Sequence, residues 1–238
     1  QVRLWDVLIY NYLRQKHIVI PPKKDAEKSK AYTGAHVKDP ITGMHKWVVS
    51  FDLNSLYPHL IMQYNISPET ILDGQRLSST VDTFLDRQVD TSDLKDQDVS
   101  IAASGQMFRK DVHGFLPQMM QERYQNRTVY KKKMLAAKQE LEDEKDPKNR
   151  FELEKKVSQN HNLQLAMKIS MNSAYGAMGN QYFRFFDMRL AEAITLGGQL
   201  SIRWAEKAVN KHLNKVLKTN DYDYVIASDT DSLYVTLE

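Results

Sequence analysis

The sequence predicts an α+β fold: an antiparallel sheet with packed helices, and a long antiparallel helical hairpin standing out from it. Three observations predict this. Two short apolar runs of strand character, Lys46-Trp47-Val48-Val49-Ser50-Phe51 and Tyr222 to Ala227, each stop at an acidic cluster. The clusters are Asp52-Leu53-Asn54-Ser55-Leu56-Tyr57-Pro58 and Asp229-Thr230-Asp231-Ser232. A long helical pattern over residues 117–141 is broken at Glu144-Lys145-Asp146-Pro147 and resumes over about 149–173. The chain then closes with a β-hairpin whose turn carries Asp229 and Asp231.

The first element is a helix over residues 5–16, where Trp5, Leu8, Ile9, Tyr12 and Leu13 share a face. Pro21-Pro22 ends that unit, and Lys23 to Lys30 reads as a solvated linker. Gly34 to Trp47 reads as a short hairpin around Asp39-Pro40 and Thr42-Gly43. A buried strand follows and ends at Asp52. Pro58, with Leu60, Ile61 and Tyr64 behind it, starts a helix just past that carboxylate. Residues 74–100 carry few large apolar groups and many Asp, Ser, Thr and Gln, the composition of a mobile surface excursion with little share in the core. Gln106 to Lys110 and Gly114 to Leu116 read as a small strand pair about a turn at Asp111. Pro147 and its charged neighbours make a tight reversal, so the two long helices pack antiparallel. Each arm would be roughly 35–38 Å long, a protruding device rather than a compact bundle. A third long helix spans about Asp187 to Leu217, with Leu190, Ile194, Gly197, Ser201, Trp204 and Ala208 on one stripe.

A chain of 238 residues forms one large domain or two small ones. It should bury roughly 70–75% of its unfolded surface, so it needs no covalent staples. Cysteine is absent, which excludes disulfides and thiolate metal sites and points to a reducing compartment. No apolar run approaches the ~20 residues of a membrane span and no signal peptide is visible, so the expectation is a soluble, cytoplasmic protein without a membrane partner. The net charge of +3 says little about partners, but its distribution says more. Arg123, Arg127, Lys131, Lys132, Lys133 and Lys138 crowd one stretch, the footprint expected for a polyanion. A lysine run alone is more simply a solvated helix face. Gln1 is not an initiator methionine and the chain stops about one strand after Asp231, which suits a piece of a longer polypeptide.

The chemistry starts from the carboxylates. Asp52 and Asp231, brought together at strand ends, would repel strongly and raise one pKa unless cations lay between them. Two magnesium ions, ~3.5–4 Å apart in sites of this kind, would remove the repulsion and serve an attacking and a leaving oxygen. By itself an Asp-Thr-Asp is far more often a turn held by Asx hydrogen bonds. An EF-hand is excluded, because glycine is missing at the sixth loop position and glutamate at the twelfth. Ser55, Leu56 and Tyr57 sit where the chain turns from strand to helix, and their free N–H groups would suit a triphosphate tail. Tyr57 has the bulk to close the space under a sugar ring, or equally to pack in a core; Asp52 alone reads as well as a helix N-cap. On the hairpin, Arg127 and Lys131 share a face, and so do Lys168, Asn172 and Tyr175. A lysine, an amide and a ring in line could run along a nucleotide from phosphate to base, unless Lys168 is merely solvated and Tyr175 merely core. Gly176 and Gly179 argue for the close approach of a backbone or a ligand.

In order, Asp-x-x-Ser-Leu-Tyr-Pro, Arg-x-x-x-Lys, Lys-x-x-x-Asn-Ser-x-Tyr-Gly and Asp-Thr-Asp-Ser resemble the motif series of family B DNA polymerases. Asn65-Ile66-Ser67-Pro68-Glu69-Thr70 and the stretch from Gly179 to Asp187, with Tyr182-Phe183-Arg184-Phe185-Phe186, are most similar to the replicative enzymes of tailed bacteriophages. Two departures are visible: His59 follows the motif proline where a small residue is usual, and Ala227-Ser228 replaces an aromatic-glycine pair.

The resemblance implies a DNA-directed DNA polymerase with residues 1–116 and 177–238 as palm and 117–176 as fingers. It implies Asp52 and Asp231 as ligands of both Mg2+ ions, the Leu53 carbonyl on one of them, and Asp229 close by. It implies a triphosphate held by Ser55, Leu56 and Tyr57, with Tyr57 also excluding a 2′-hydroxyl. Arg127, Lys131 and Lys168 would grip phosphates, Lys168 and the three aspartates forming the catalytic set. Asn172 and Tyr175 would line the nascent base pair, and Gly176 would let DNA approach. Primer-template DNA and deoxynucleoside triphosphates are the implied partners, with a second polymerase chain or a sliding clamp beyond them, in the cytoplasm of an infected bacterial host. The family's exonuclease domain would precede Gln1 and its thumb would follow Glu238. Two rivals remain. One is a non-catalytic nucleic-acid-binding module or complementing half of a split polymerase. The other, an Asp-x-Asp phosphatase of the haloacid dehalogenase type, needs its nucleophile near the start of the domain, whereas Asp229 lies at the end.

Overall fold

Trp5, Ile9 and Leu13, spaced at helical intervals, are the buried face of α1 (Val2–Gln15), and the Trp5 indole N–H donates to the Ser170 carbonyl and to Ser173 Oγ, at 3.1 and 3.0 Å. This computed structural model describes residues 2–23 and 31–238. Gln1 and, beyond Lys23, the linker read over Lys23–Lys30 lie outside the described residues.

The stretch read as a local hairpin is instead a long-range strand. β1 (Val37–Lys38) pairs antiparallel with β6 (Val225–Asp229), and Lys38 is fixed there by ion pairs of 2.6 Å to both Glu206 and Asp223. β2 (Val48–Asp52) pairs antiparallel with β7 (Ser232–Thr236), giving a four-stranded sheet in the order β1-β6-β7-β2. The expected burial of β2 is not found: all five of its residues are exposed, because it is the edge strand. α2 (Leu56–Tyr64) follows at once, as Pro58 predicts.

Residues 71–109 hold a second antiparallel sheet, β3 (Ile71–Arg76), β4 (Val99–Ile101) and β5 (Gln106–Arg109), in the order β3-β5-β4. This corrects two expectations. β5 pairs with β3 and β4, whereas Phe115 and Leu116 already belong to the next helix. The polar excursion over 74–100 is largely structured. It contains α3 (Val81–Leu85), opened by a Thr80–Thr83 capping box, and ion pairs of Asp82 with Arg203 and of Asp86 with Lys207 tie it to the long C-terminal helix. Its polar side chains cap and cross-link instead of solvating a loose loop.

α4 (Phe115–Asp143) and α5 (Pro147–Met178) form the antiparallel hairpin, roughly 44 and 48 Å long. They run beyond the predicted 117–141 and 149–173, the first by two residues at each end and the second by two at its start and five at its end. Pro147 takes the first helical position, where its missing N–H costs nothing, and Asp146 caps that end by accepting from the Lys148 N–H. Arg150 Nη1 donates to the Leu141 and Glu144 carbonyls, closing the reversal. Burial concentrates at the base, at Phe115 to Met120 and Ser170 to Met178.

α6 (Met188–Leu217) serves two cores, and this explains why the predicted stripe fails at Trp204, which is 61% exposed. Its first half buries Leu190, Ala193 and Ile194 among α1, α2 and the hairpin base. Its second half turns Ile202, Val209 and Leu213 onto Val225, Leu233 and Val235 of the four-stranded sheet. Among the described residues no helix is long and apolar enough to cross a membrane.

Candidate active site

Antiparallel register sets Asp52, the last residue of β2, opposite Ser232, the first residue of β7. Asp231 immediately precedes Ser232 in the β6–β7 turn. The Leu53 N–H donates to the Asp231 carbonyl at 2.7 Å, so the two acidic segments are stitched together by their backbones. The turn is tight: Thr230 takes a left-handed φ of 55°, and its N–H donates to the His36 carbonyl at 2.9 Å. Asp52 and Asp231 line one cleft of about 290 Å³ together with Asn54, Ser55, Leu56, Tyr57, Lys168, Asn172, Tyr175 and Thr230. Partial burial first, and then the neighbouring charge of Asp52, pushes the Asp231 carboxyl above the usual range, while Lys168 pulls against the shift.

The strand-to-helix corner forms one wall. Ser55 takes a left-handed φ of 58° at the start of α2. Its hydroxyl accepts from Arg127 Nη1 at 3.0 Å, and the buried Arg127 Nε has no partner among the described residues. Tyr57 is partly buried, with its ring seated on α6: a Cβ added at Gly198 would stand 2.9 Å from Tyr57 Cε1. The Tyr57 ring tilts against Tyr175, centroids 4.8 Å apart. Burial pushes the Tyr57 hydroxyl up, and the Asp231 charge adds to this.

Tyr32 is the residue that sequence reasoning missed. Its hydroxyl is hydrogen-bonded to that of Tyr175, which burial and this bond push well up, and its ring lies edge-on to Tyr175 at 6.4 Å. It is also what approaches Gly179, where a Cβ would fall 2.2 Å from Tyr32 Oη. That glycine was the available signal, though it could not name the partner. Gly176 differs: it is exposed, with nothing within 4 Å of a Cβ built there.

Five predicted residues stand outside the cleft lining: Arg127, which reaches it only through Ser55, the exposed Gly176, and Asp229, Lys131 and Leu53. Asp229 is turned to Thr230, accepting its hydroxyl at 2.9 Å. Lys131 is exposed on α4, one turn beyond Arg127. Leu53 packs on the second core.

The donor set fits a hard divalent cation. Two carboxylates lie close enough for one to raise the other's pKa, and a cation between them relieves that repulsion. No three or more acidic, histidine or cysteine side chains converge as a metal cage among the described residues. Magnesium suits such a pair, because it is usually held by one or two carboxylates with substrate phosphates completing its shell.

The model of the family described as DNA polymerase family B matches residues 1–238. The DNA-directed DNA polymerase of Enterobacteria phage T4 is 33% identical over 274 residues, covering 100% of this chain and 30% of that protein. That of Escherichia phage RB69 is 34% identical, with the same coverage of 100% and 30%. DNA polymerase 1 of Pyrococcus abyssi (strain GE5 / Orsay) is 30% identical over 239 residues, covering 98% of this chain and 25% of that protein. The chain thus spans about 30% of the length of the phage relatives.

Proposed function

Because the chain belongs to DNA polymerase family B, we propose that the Asp52–Asp231 cleft performs template-directed nucleotidyl transfer, adding a deoxynucleoside triphosphate to a primer 3′-hydroxyl. In this reading residues 1–116 and 177–238 act as palm and the 117–176 hairpin as fingers. Two Mg2+ ions would be held by Asp52 and Asp231, with the Leu53 carbonyl and Asp229 as further donors, and would supply neutralising charge to the phosphates and the attacking oxygen.

The remaining roles belong to the side chains. Ser55, Leu56 and Tyr57 receive the triphosphate at the start of α2, where unpaired N–H groups suit anions. Arg127, held on Ser55, Lys131 and Lys168 bring positive charge from the hairpin. Lys168 faces the end of the cleft where negative charge grows as pyrophosphate leaves. The primer oxygen bonds the α-phosphorus in line as the bond to pyrophosphate breaks. Tyr57, wedged between Gly198 and Tyr175, excludes a 2′-hydroxyl. Asn172, Tyr175 and Gly176 face the new base pair and the DNA. Primer-template DNA and deoxynucleoside triphosphates are the substrates, a second polymerase chain or a sliding clamp a further partner, and an infected bacterial cytoplasm the setting.

One observation carries the reading: two carboxylates far apart in sequence and a lysine from the helical hairpin line the same cleft. Primer extension tests it. Asp52→Asn and Asp231→Asn should each lower kcat by at least about a thousandfold, a loss of ~4 kcal/mol of transition-state stabilisation. DNA binding with no turnover in the parent protein, unaffected by Asp231→Asn, would favour the non-catalytic binding module instead.

A further inference from the structure

α6 carries Lys207, Lys211 and Lys215, one per turn and so about 6 Å apart along the axis. With Arg87, Phe84 and Trp204 they line a groove of about 510 Å³ between α3 and α6, along the flank of α6 that is not packed on the sheet. No carboxylate lines it. Of the acids at α3, Asp82 pairs with Arg203 outside the groove, and Asp86, the C-cap, pairs with the groove's own Lys207 and offsets that one charge. Among the described residues Arg87, Lys211 and Lys215 have no ion-pair partner. Like charges four residues apart repel and weaken a helix, so the row is unfavourable for α6 on its own. Beside it Trp204 is 61% exposed, and its ring meets no other aromatic ring among the described residues.

We infer that this groove binds single-stranded DNA, with phosphates on Arg87, Lys211 and Lys215 and a base stacked on Trp204. A cationic track beside an open aromatic face is how sequence-tolerant single-strand binding is built. An acidic peptide would satisfy the lysines but leave the indole face without a stacking partner. None of these residues lines the Asp52–Asp231 cleft, so the inference stands apart from the polymerase reading.

The test is a fluorescence titration with oligothymidylate on Trp47→Phe protein, in which Trp204 is the exposed tryptophan because Trp5 is 1% exposed. Binding should quench Trp204 emission, and Asp231→Asn should leave the quenching intact. Lys211→Gln/Lys215→Gln should reduce the slope of log affinity against log salt by about 1.4, at ~0.7 per phosphate contact on a single strand. Trp204→Ala should weaken binding on the order of tenfold. Emission that does not change at saturating oligothymidylate would overturn the inference, and so would an unchanged salt slope in the double variant. Equal quenching by an oligoglutamate of the same length would overturn it as well, making the groove a docking surface for acidic protein.

Discussion

The Tyr57 ring rests on Gly198 and tilts against Tyr175, so its position is set by three segments distant in sequence. Tyr57→Ala removes the obstacle without touching either carboxylate. Selectivity against ribonucleotides should fall on the order of a hundredfold, the scale of a ~3 kcal/mol exclusion, as read by competing incorporation of the two sugars. Lys168 differs in kind, because it is an exposed charge facing Asp231 across the cleft. Lys168→Ala should raise the KM for deoxynucleoside triphosphate about ten- to a hundredfold, the loss of one charge-assisted phosphate contact, while duplex affinity stays nearly constant. Selective loss of duplex affinity would remove Lys168 from the phosphate role. At this scale the carboxylates, Tyr57 and Lys168 could be named as candidates from the order of the four motifs, and they do line one cleft. Tyr32 and Gly198 could not, because their contributions exist only where remote segments touch.

The packing of α2 on α6 depends on a close approach that a single atom disturbs. Gly198→Ala would place a methyl 2.9 Å from Tyr57 Cε1, forcing the ring or the helix to shift. Overpacking of this kind costs about 1–3 kcal/mol, visible as a lower denaturation midpoint, and should be accompanied by weaker sugar selectivity. Ala at Gly176, with open space around it, should leave the midpoint nearly unchanged. The helical hairpin and the closing β-hairpin were readable as elements because their periods are long and Pro147 marks the reversal. β1 and the β3-β5-β4 sheet were not. A two-residue strand has no period, and its partner β6 lies nearly the whole chain away. Residues 74–100 misled for a related reason: polar side chains that cap α3 and pair with α6 look, in sequence, like those that merely face water. The α6 stripe drifted because one helix changes partners midway, from the main core to the sheet.

At the scale of the whole molecule the site is a junction. The sheet supplies Asp52 and Asp231, α2 supplies Ser55 to Tyr57, and the base of the hairpin supplies Lys168, Asn172 and Tyr175. The carboxylates meet only because β2 pairs with β7, which joins residues 48–52 to 232–236. An α+β fold with a hairpin was therefore predictable, but the cleft itself depends on this long-range pairing. The central claim is that these two aspartates share a cation. It is tested most directly by anomalous diffraction from crystals soaked with Mn2+ and a non-hydrolysable deoxynucleoside triphosphate. The account predicts a manganese peak within coordination distance of both Asp52 and Asp231 that vanishes in Asp231→Asn crystals. Metal and triphosphate bound elsewhere, with the two side chains holding no common ion, would contradict it.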